Sequence, residues 1–220
     1  MSELIVDAVL PAVRKRSAFV AFNVRLIQEK PLGAVGGVVF LLFMFCGIFA
    51  NFLAPFEMNY TDLTQRLQAP SLAFPFGTDH LGRDVLSRVL IGAQISMIVS
   101  FLAAGLATVI SIVVGVTSGY FGGKPDMVIQ RGVDAWMTFP DLVLLIVVVS
   151  IVGPGIPQIV VVLGLLYGIA GSRIVRGAVV SVKENMYTHA SLSIGAPTFH
   201  VMRKHVLPNI MPVVIVLFTT

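Results

Sequence analysis

The sequence predicts an all-α fold: a polytopic transmembrane helix bundle of about four complete spans plus an incomplete fifth, with a helix hairpin on its cytoplasmic side. Three observations predict it. Of the 220 residues 56% are hydrophobic and 12% charged, about half the charged fraction of a water-soluble domain. No charge occurs from Pro31 to Phe56, from Val89 to Gly123 or from Leu142 to Ser172, and each stretch exceeds the ~20 residues that cross a hydrocarbon core. The basic residues alternate with these stretches instead of forming one stripe, so the net charge of +4 reports orientation in a bilayer and not nucleic-acid binding.

Taken in order, residues 1–30 read as a cytoplasmic amphipathic segment. Phe19, Phe22 and Leu26 recur at helical spacing among Arg14, Lys15, Arg16, Arg25 and Lys30, the pattern of a helix lying on an anionic leaflet; a disordered basic tail is the alternative. Glu3 and Asp7 precede the basic cluster and no clear cleavage site follows, so the first span, Leu32 to Ala54, is retained instead of being removed as a signal peptide. Residues 55–94 carry three Arg against four acidic residues, a formal −1, and belong outside. Their end, Phe76 to Arg88, combines a Gly turn, a Thr or Asp helix cap and an Asp84 to Arg88 pair at i,i+4 spacing. Together these describe an external helix leading into the second span, within Ile95 to Tyr120.

A third helix is expected from near Val133 to Gly153, where Gly153, Pro154, Gly155 and Pro157 break it. Only about half a membrane thickness separates Asp141 from that break, which places Asp141 near the interface or inside the bundle; a re-entrant hairpin is the alternative. The fourth span runs from Gln158 to Gly171, anchored by Arg173 and Arg176. On this topology twelve basic residues lie inside and three outside, which sets a cytoplasmic N-terminus.

The hairpin, residues 173–208, is the polar and basic stretch after that span. Gly195 separates two segments of helical character, and Pro208 is expected to stop the second. Gly115 with Gly119, and Gly164 with Gly168, are small-xxx-small pairs that let membrane helices approach closely. His200 and His205 lie five apart, ~140° around an α-helix, so they and His189 read as surface histidines and not as metal ligands. Gly123-Lys124 is followed by Pro125, which is no phosphate-binding loop. Cys46 is the single cysteine and excludes an internal disulfide or a Cys-based zinc site.

The run Tyr187 to Asn209 resembles the EAA loop of ABC-transporter permeases: His189, Ala190 and Ser191 stand at the Glu-Ala-Ala core, and Gly195, Leu207, Pro208 and Asn209 match. Gly77-Thr78-Asp79-His80-Leu81-Gly82-Arg83-Asp84 is similar to the segment before the second span in the dipeptide, oligopeptide and nickel importer group. Gly119 to Asp126, with Arg131, Asp134, Phe139 and Pro140, resembles the same group. The resemblance implies residues 31–220 as the transmembrane domain of a bacterial inner-membrane permease of the second-permease type, with Tyr187, His189, Ala190, Ser191, Gly195 and Ala196 as its ATPase-docking coupling helix and turn. It implies no catalysis and no cofactor in this chain, ATP being bound by partners: two ABC ATPase subunits, beside a homologous permease and an external solute-binding protein. Peptide is the implied cargo, with nickel as the alternative inside the group and a non-transport assembly subunit as the alternative outside it. Members of this type carry six spans, so the eleven residues from Ile210 to Thr220 imply an incomplete fifth span, a missing sixth and a chain that does not support uptake alone.

Overall fold

The computed structural model describes residues 27–219, so the expected amphipathic helix within residues 1–30 lies almost wholly outside the described residues. Those described are helices joined by turns, with no strand among them beyond a single isolated bridge from Thr78 to Asp84. They divide into two compact units, within Met1–Gln94 and Ile95–Thr220.

In the first unit, α1 (Pro31–Ile48) starts on Pro31, where a missing N–H costs nothing, and continues after Phe49 into the single turn α2 (Ala50–Leu53). Val38, Leu41, Leu42 and Phe52 are all exposed, as side chains that face lipid are. The chain then folds on itself before α3 (Val85–Phe121), a continuous helix of 37 residues. Phe56 stacks on Phe74 at 5.5 Å and on Tyr60 at 5.8 Å, and its N–H donates to Ser87 Oγ. Asp79 organises the rest. Its Oδ1 accepts the N–H groups of Leu81 and Arg83, and its Oδ2 accepts Arg83 Nε (2.8 Å) and Arg88 Nη1 (2.6 Å).

The expected Asp84 to Arg88 pair therefore does not form. Asp84 Oδ2 accepts the Ser87 N–H as the N-cap of α3, and Arg88 reaches back to Asp79 instead. Burial pushes the Asp79 carboxyl up, but the N–H groups of Arg83 and Leu81 and the side chains of Arg83 and Arg88 outweigh it and hold it well below the usual carboxylate range. A carboxylate depressed in this way lends its stabilisation fully above the unfolded value of about 3.9 and loses it as pH falls towards the folded value. Protection of the 55–84 amides, corrected for intrinsic exchange, is expected to stay flat from pH 7 to about pH 4 and to fall below it. In Asp79→Asn that acid-dependent fall should be much smaller, the remainder coming from Asp62, which the Thr64 hydroxyl and N–H also hold below its usual value; an unchanged acid profile in the variant would remove Asp79 from this role.

In the second unit, α3 and α6 (Ile156–Lys183) run side by side and parallel. Leu106 lies against Gly164, Ile110 against Gly168, Val175 against Gly115 and Val179 against Gly119, the register rising together on both helices. Parallel neighbours need a return between them, and it is supplied by α4 (Gly123–Met137) and α5 (Asp141–Val152). These two replace the single third helix expected from Val133: they meet at an 80° bend. Pro140 explains the break, because it disfavours helical backbone at Phe139 and leaves α4 to close on tightened i→i+3 bonds, Thr138 N–H to Ala135 O and Phe139 N–H to Trp136 O.

After α6 come α7 (Met186–Ser193), α8 (Thr198–Val201), a π-helical turn (Met202–Val206) and α9 (Leu207–Thr219). Pro208 does not stop a helix. It sits in the first turn of α9, where the π turn has already shifted the ladder so that the Leu207 N–H donates to Met202 O, and Asn209 Nδ2 takes up His205 O at 2.6 Å. Thr198–Thr219 is thus one helical run of 22 residues, long and apolar enough to cross a membrane. The second hairpin arm is the start of this run, and α9 follows it without a break. Four described helices meet that length and hydropathy condition, or five spans if the bent pair counts as one. Val116, Tyr120, Val175, Val179, Val201, Val206, Ile210 and Val214 form the buried core that binds α3, α6 and the 198–219 run.

Candidate functional site

The site lies where α3 and α6 end. Helix α7 packs on the last turn of α6 through Thr188, which is fully buried and whose Oγ1 donates to Val182 O at 3.0 Å. Ser191, one turn on, is buried beside it, so the inward face of α7 is small and polar. The outward face carries Tyr187, His189 and Ala190, all exposed, flanked by Met186 at 89% exposure and Ile194 at 86%. Phe199, 72% exposed, follows on the next helix.

Gly195 closes α7 at φ +84°. Its N–H donates to Leu192 O, and the Ala196 N–H donates to Ser191 O. These paired 5→2 and 6→1 bonds are a Schellman termination, which places a left-handed residue, usually Gly, at that position. Ala196 packs against the buried core, so the turn is fixed on both sides. The structure thus gathers all six hairpin residues singled out in the sequence, three outward on α7, Ser191 inward, and Gly195 and Ala196 in the turn.

The π turn changes the histidine geometry. With i→i+5 bonding, residues five apart share a face, and the rings of His200 and His205 stand 6.3 Å apart, with Tyr187 6.1 Å from His205. The 140° separation assumed an α-helix and does not hold here. Among the described residues no third His, Cys, Asp or Glu completes a metal-binding group.

Behind α7 is a polar cluster that sequence reasoning missed. Arg176 on α6 grips Asp126 on α4 in a fork, Nε to Oδ1 at 2.6 Å and Nη2 to Oδ2 at 2.5 Å. Ser118 Oγ on α3 also donates to Asp126, and Gln130 Nε2 donates to Ser118 Oγ. Lys183 Nζ donates to Tyr120 O at 2.7 Å, taking one of the free carbonyls at the end of α3, and lies 5.5 Å over the Tyr120 ring. A more exposed pair, Arg173 with Asp134, ties α6 to the far end of α4. No local signal announces partners 50 residues apart. The glycine pairs lie along the α3–α6 contact above this cluster, where Ser111 Oγ also donates to Gly168 O.

Residues 111–220 match the family of binding-protein-dependent transport system inner membrane components, and residues 27–70 match the N-terminal transmembrane domain of oligopeptide transport permease C. The chain is 37% identical over 187 residues, 84% of its length, to the dipeptide transport system permease protein of Bacillus subtilis. It is 33% identical over 191 residues, 87% of its length, to a probable D,D-dipeptide transport system permease protein of Escherichia coli. It is 30% identical over 215 residues, 96% of its length, to the glutathione transport system permease protein of Pectobacterium atrosepticum. The chain spans 58%, 64% and 71% of those three proteins respectively. It belongs to the family of inner-membrane permease components of binding-protein-dependent transport systems.

Proposed function

We propose that this chain is a multi-pass permease subunit of a peptide importer, lining a solute path together with a second, homologous permease. It carries out no bond chemistry and holds no cofactor. Two ABC ATPase subunits bind and hydrolyse ATP, one seating on α7 and the other on its counterpart in the homologous permease, while an external binding protein delivers the peptide. The names of the three relatives, all permeases for peptides or a peptide-like thiol, support the cargo class. The twelve-to-three basic asymmetry supports a cytoplasmic N-terminus, with α7 on the same side and residues 55–84 opposite.

The observation that carries this reading is the construction of α7. A short helix offers Tyr187, His189, Ala190, Met186 and Ile194 outward while Thr188 anchors its back to a spanning helix, so a partner that grips the outer face moves the span. Gly195 sets the geometry and tests it. A Cβ at Gly195 meets nothing within 4 Å, so only its φ of +84° resists substitution. Valine is expected to cost about 1–2 kcal/mol in that conformation and asparagine much less.

In the reconstituted complex with partner subunits, Gly195→Val should lower peptide uptake and the stimulation of ATP hydrolysis by loaded binding protein about 5- to 30-fold. Gly195→Asn should stay near the parent. Parent-like uptake and stimulation in the valine variant would take the turn out of coupling.

A further inference from the structure

We infer that Asp126, Arg176 and Lys183 form the joint through which displacement of α7 reaches the corner between α3 and α4; the inference rests on the coupling role proposed for α7. Four elements converge within one cluster. Thr188 fastens α7 to the last turn of α6 at Val182 O. One residue further on, Lys183 fastens α6 to the final carbonyls of α3 at Tyr120 O. Two turns back along α6, Arg176 clamps Asp126 in the first turn of α4, and Ser118 of α3, fully buried, shares the same carboxylate.

Apolar packing already holds these helices. A Cβ on Gly119 would stand 2.9 Å from Arg176 O, and Val116, Tyr120, Val175 and Val179 fill the interface. The Arg176 side chain is 36% exposed and that of Asp126 15%, and an ion pair so open to water adds little to stability, so stability alone is a poor reason for it. What it adds is a fixed geometry: two parallel bonds from a planar guanidinium hold α4 at a defined angle to α6.

The consequence is mechanical. With α6 tied to α3 at Lys183 and to α4 at Arg176, a pull on α7 cannot slide α6 alone. It carries the end of α3 and the start of α4, and the 80° bend at Thr138–Pro140 is the place where the strain is released. Asp126, Arg176 and Lys183 are positioning residues in this scheme, acting through the helices they join.

The test measures solute taken up per ATP hydrolysed in the reconstituted complex. A misfolded fraction lowers uptake and hydrolysis together and leaves their ratio unchanged, whereas a loosened joint lowers the ratio. Asp126→Asn and Lys183→Met are each expected to reduce the ratio about fivefold or more. Asp126→Glu, which keeps the pair, and the reciprocal swap of Asp126→Arg with Arg176→Asp should both recover most of it. A parent-like ratio in both Asp126→Asn and Lys183→Met overturns the joint while leaving the permease reading intact. Absence of ATP-dependent uptake in the parent complex overturns the permease reading itself, and the joint with it.

Discussion

Replacing Gly82 by alanine is expected to open the folded segment between α1 and α3. Gly82 sits at φ +74°, and a Cβ there would stand 1.8 Å from Asp62 O and 2.6 Å from Asp62 C. Both are backbone atoms of a residue whose own carboxylate caps a turn at Thr64, so no side-chain rotation relieves the overlap. The 62–67 and 79–84 stretches must separate. With them go the Leu67 N–H bond to Asp79 O and the Thr78 N–H bond to Gln68 O, and also the bond from the Gln68 N–H to Thr78 Oγ1. Leu67, held at φ +51° without being glycine, then loses the contact that keeps it in a costly conformation.

Amide exchange of residues 62–82 in detergent or nanodiscs should rise at least ~10-fold, the change that 1.4 kcal/mol of local destabilisation produces. Gly92→Ala serves as control, because its Cβ meets nothing within 4 Å and it lies inside α3. Exchange as slow in Gly82→Ala as in Gly92→Ala would mean that the 62–82 contact does not hold this segment.

The spans were legible because one physical rule dominates them: a charge-free run of sufficient length has no other solvent than lipid. Features that depend on competition between rules were not. Asp84 could serve as a helix cap or as an i,i+4 partner, and the fixed, adjacent Ser87 N–H took the carboxylate before a long, mobile Arg88 could. Pro140 was visible in the sequence, but hydropathy on both sides ran a single helix through it. Pro208 in the sequence reads as a stop although proline is welcome in a first helical turn, and only the π turn before it reveals which role it has. That same turn brought His200 to His205 against α-helical arithmetic. Of the candidate site, the Gly195 turn could be read from local pattern, and Tyr187, His189, Ala190 and Ser191 of α7 came from the resemblance to the EAA loop. Thr188, Asp126, Arg176 and Lys183 could be read from neither, since their partnerships exist only once α3, α4 and α6 have met.

The α3–α6 contact offers the second large effect, and its four glycines are not equivalent. Added to Gly164, a Cβ meets Leu106 Cδ2 at 2.5 Å and Cγ at 2.7 Å, with Cβ only at 3.0 Å; this is a flexible side chain that can turn aside. At Gly115 it meets Ser172 O at 2.6 Å and Val175 Cβ at 2.7 Å, a carbonyl and a branch point that cannot. Val175 is 1% exposed and belongs to the core that also holds Tyr120, Val179 and Ile210, so any retreat is transmitted to the 198–219 run. Gly115→Val is therefore expected to destabilise the second unit by about 1–3 kcal/mol, the usual cost of overpacking a filled interior, and Gly164→Ala by clearly less. Gly105, where an added Cβ meets nothing within 4 Å, sets the baseline for a β-branched residue in the same helix. Thermal or SDS unfolding in detergent should rank the variants Gly115→Val, then Gly164→Ala, then Gly105→Val from least to most stable. Equal midpoints for Gly115→Val and Gly105→Val would show that α3 and α6 do not meet at this register, and the parallel packing that places Lys183 beside Tyr120 would have to be abandoned.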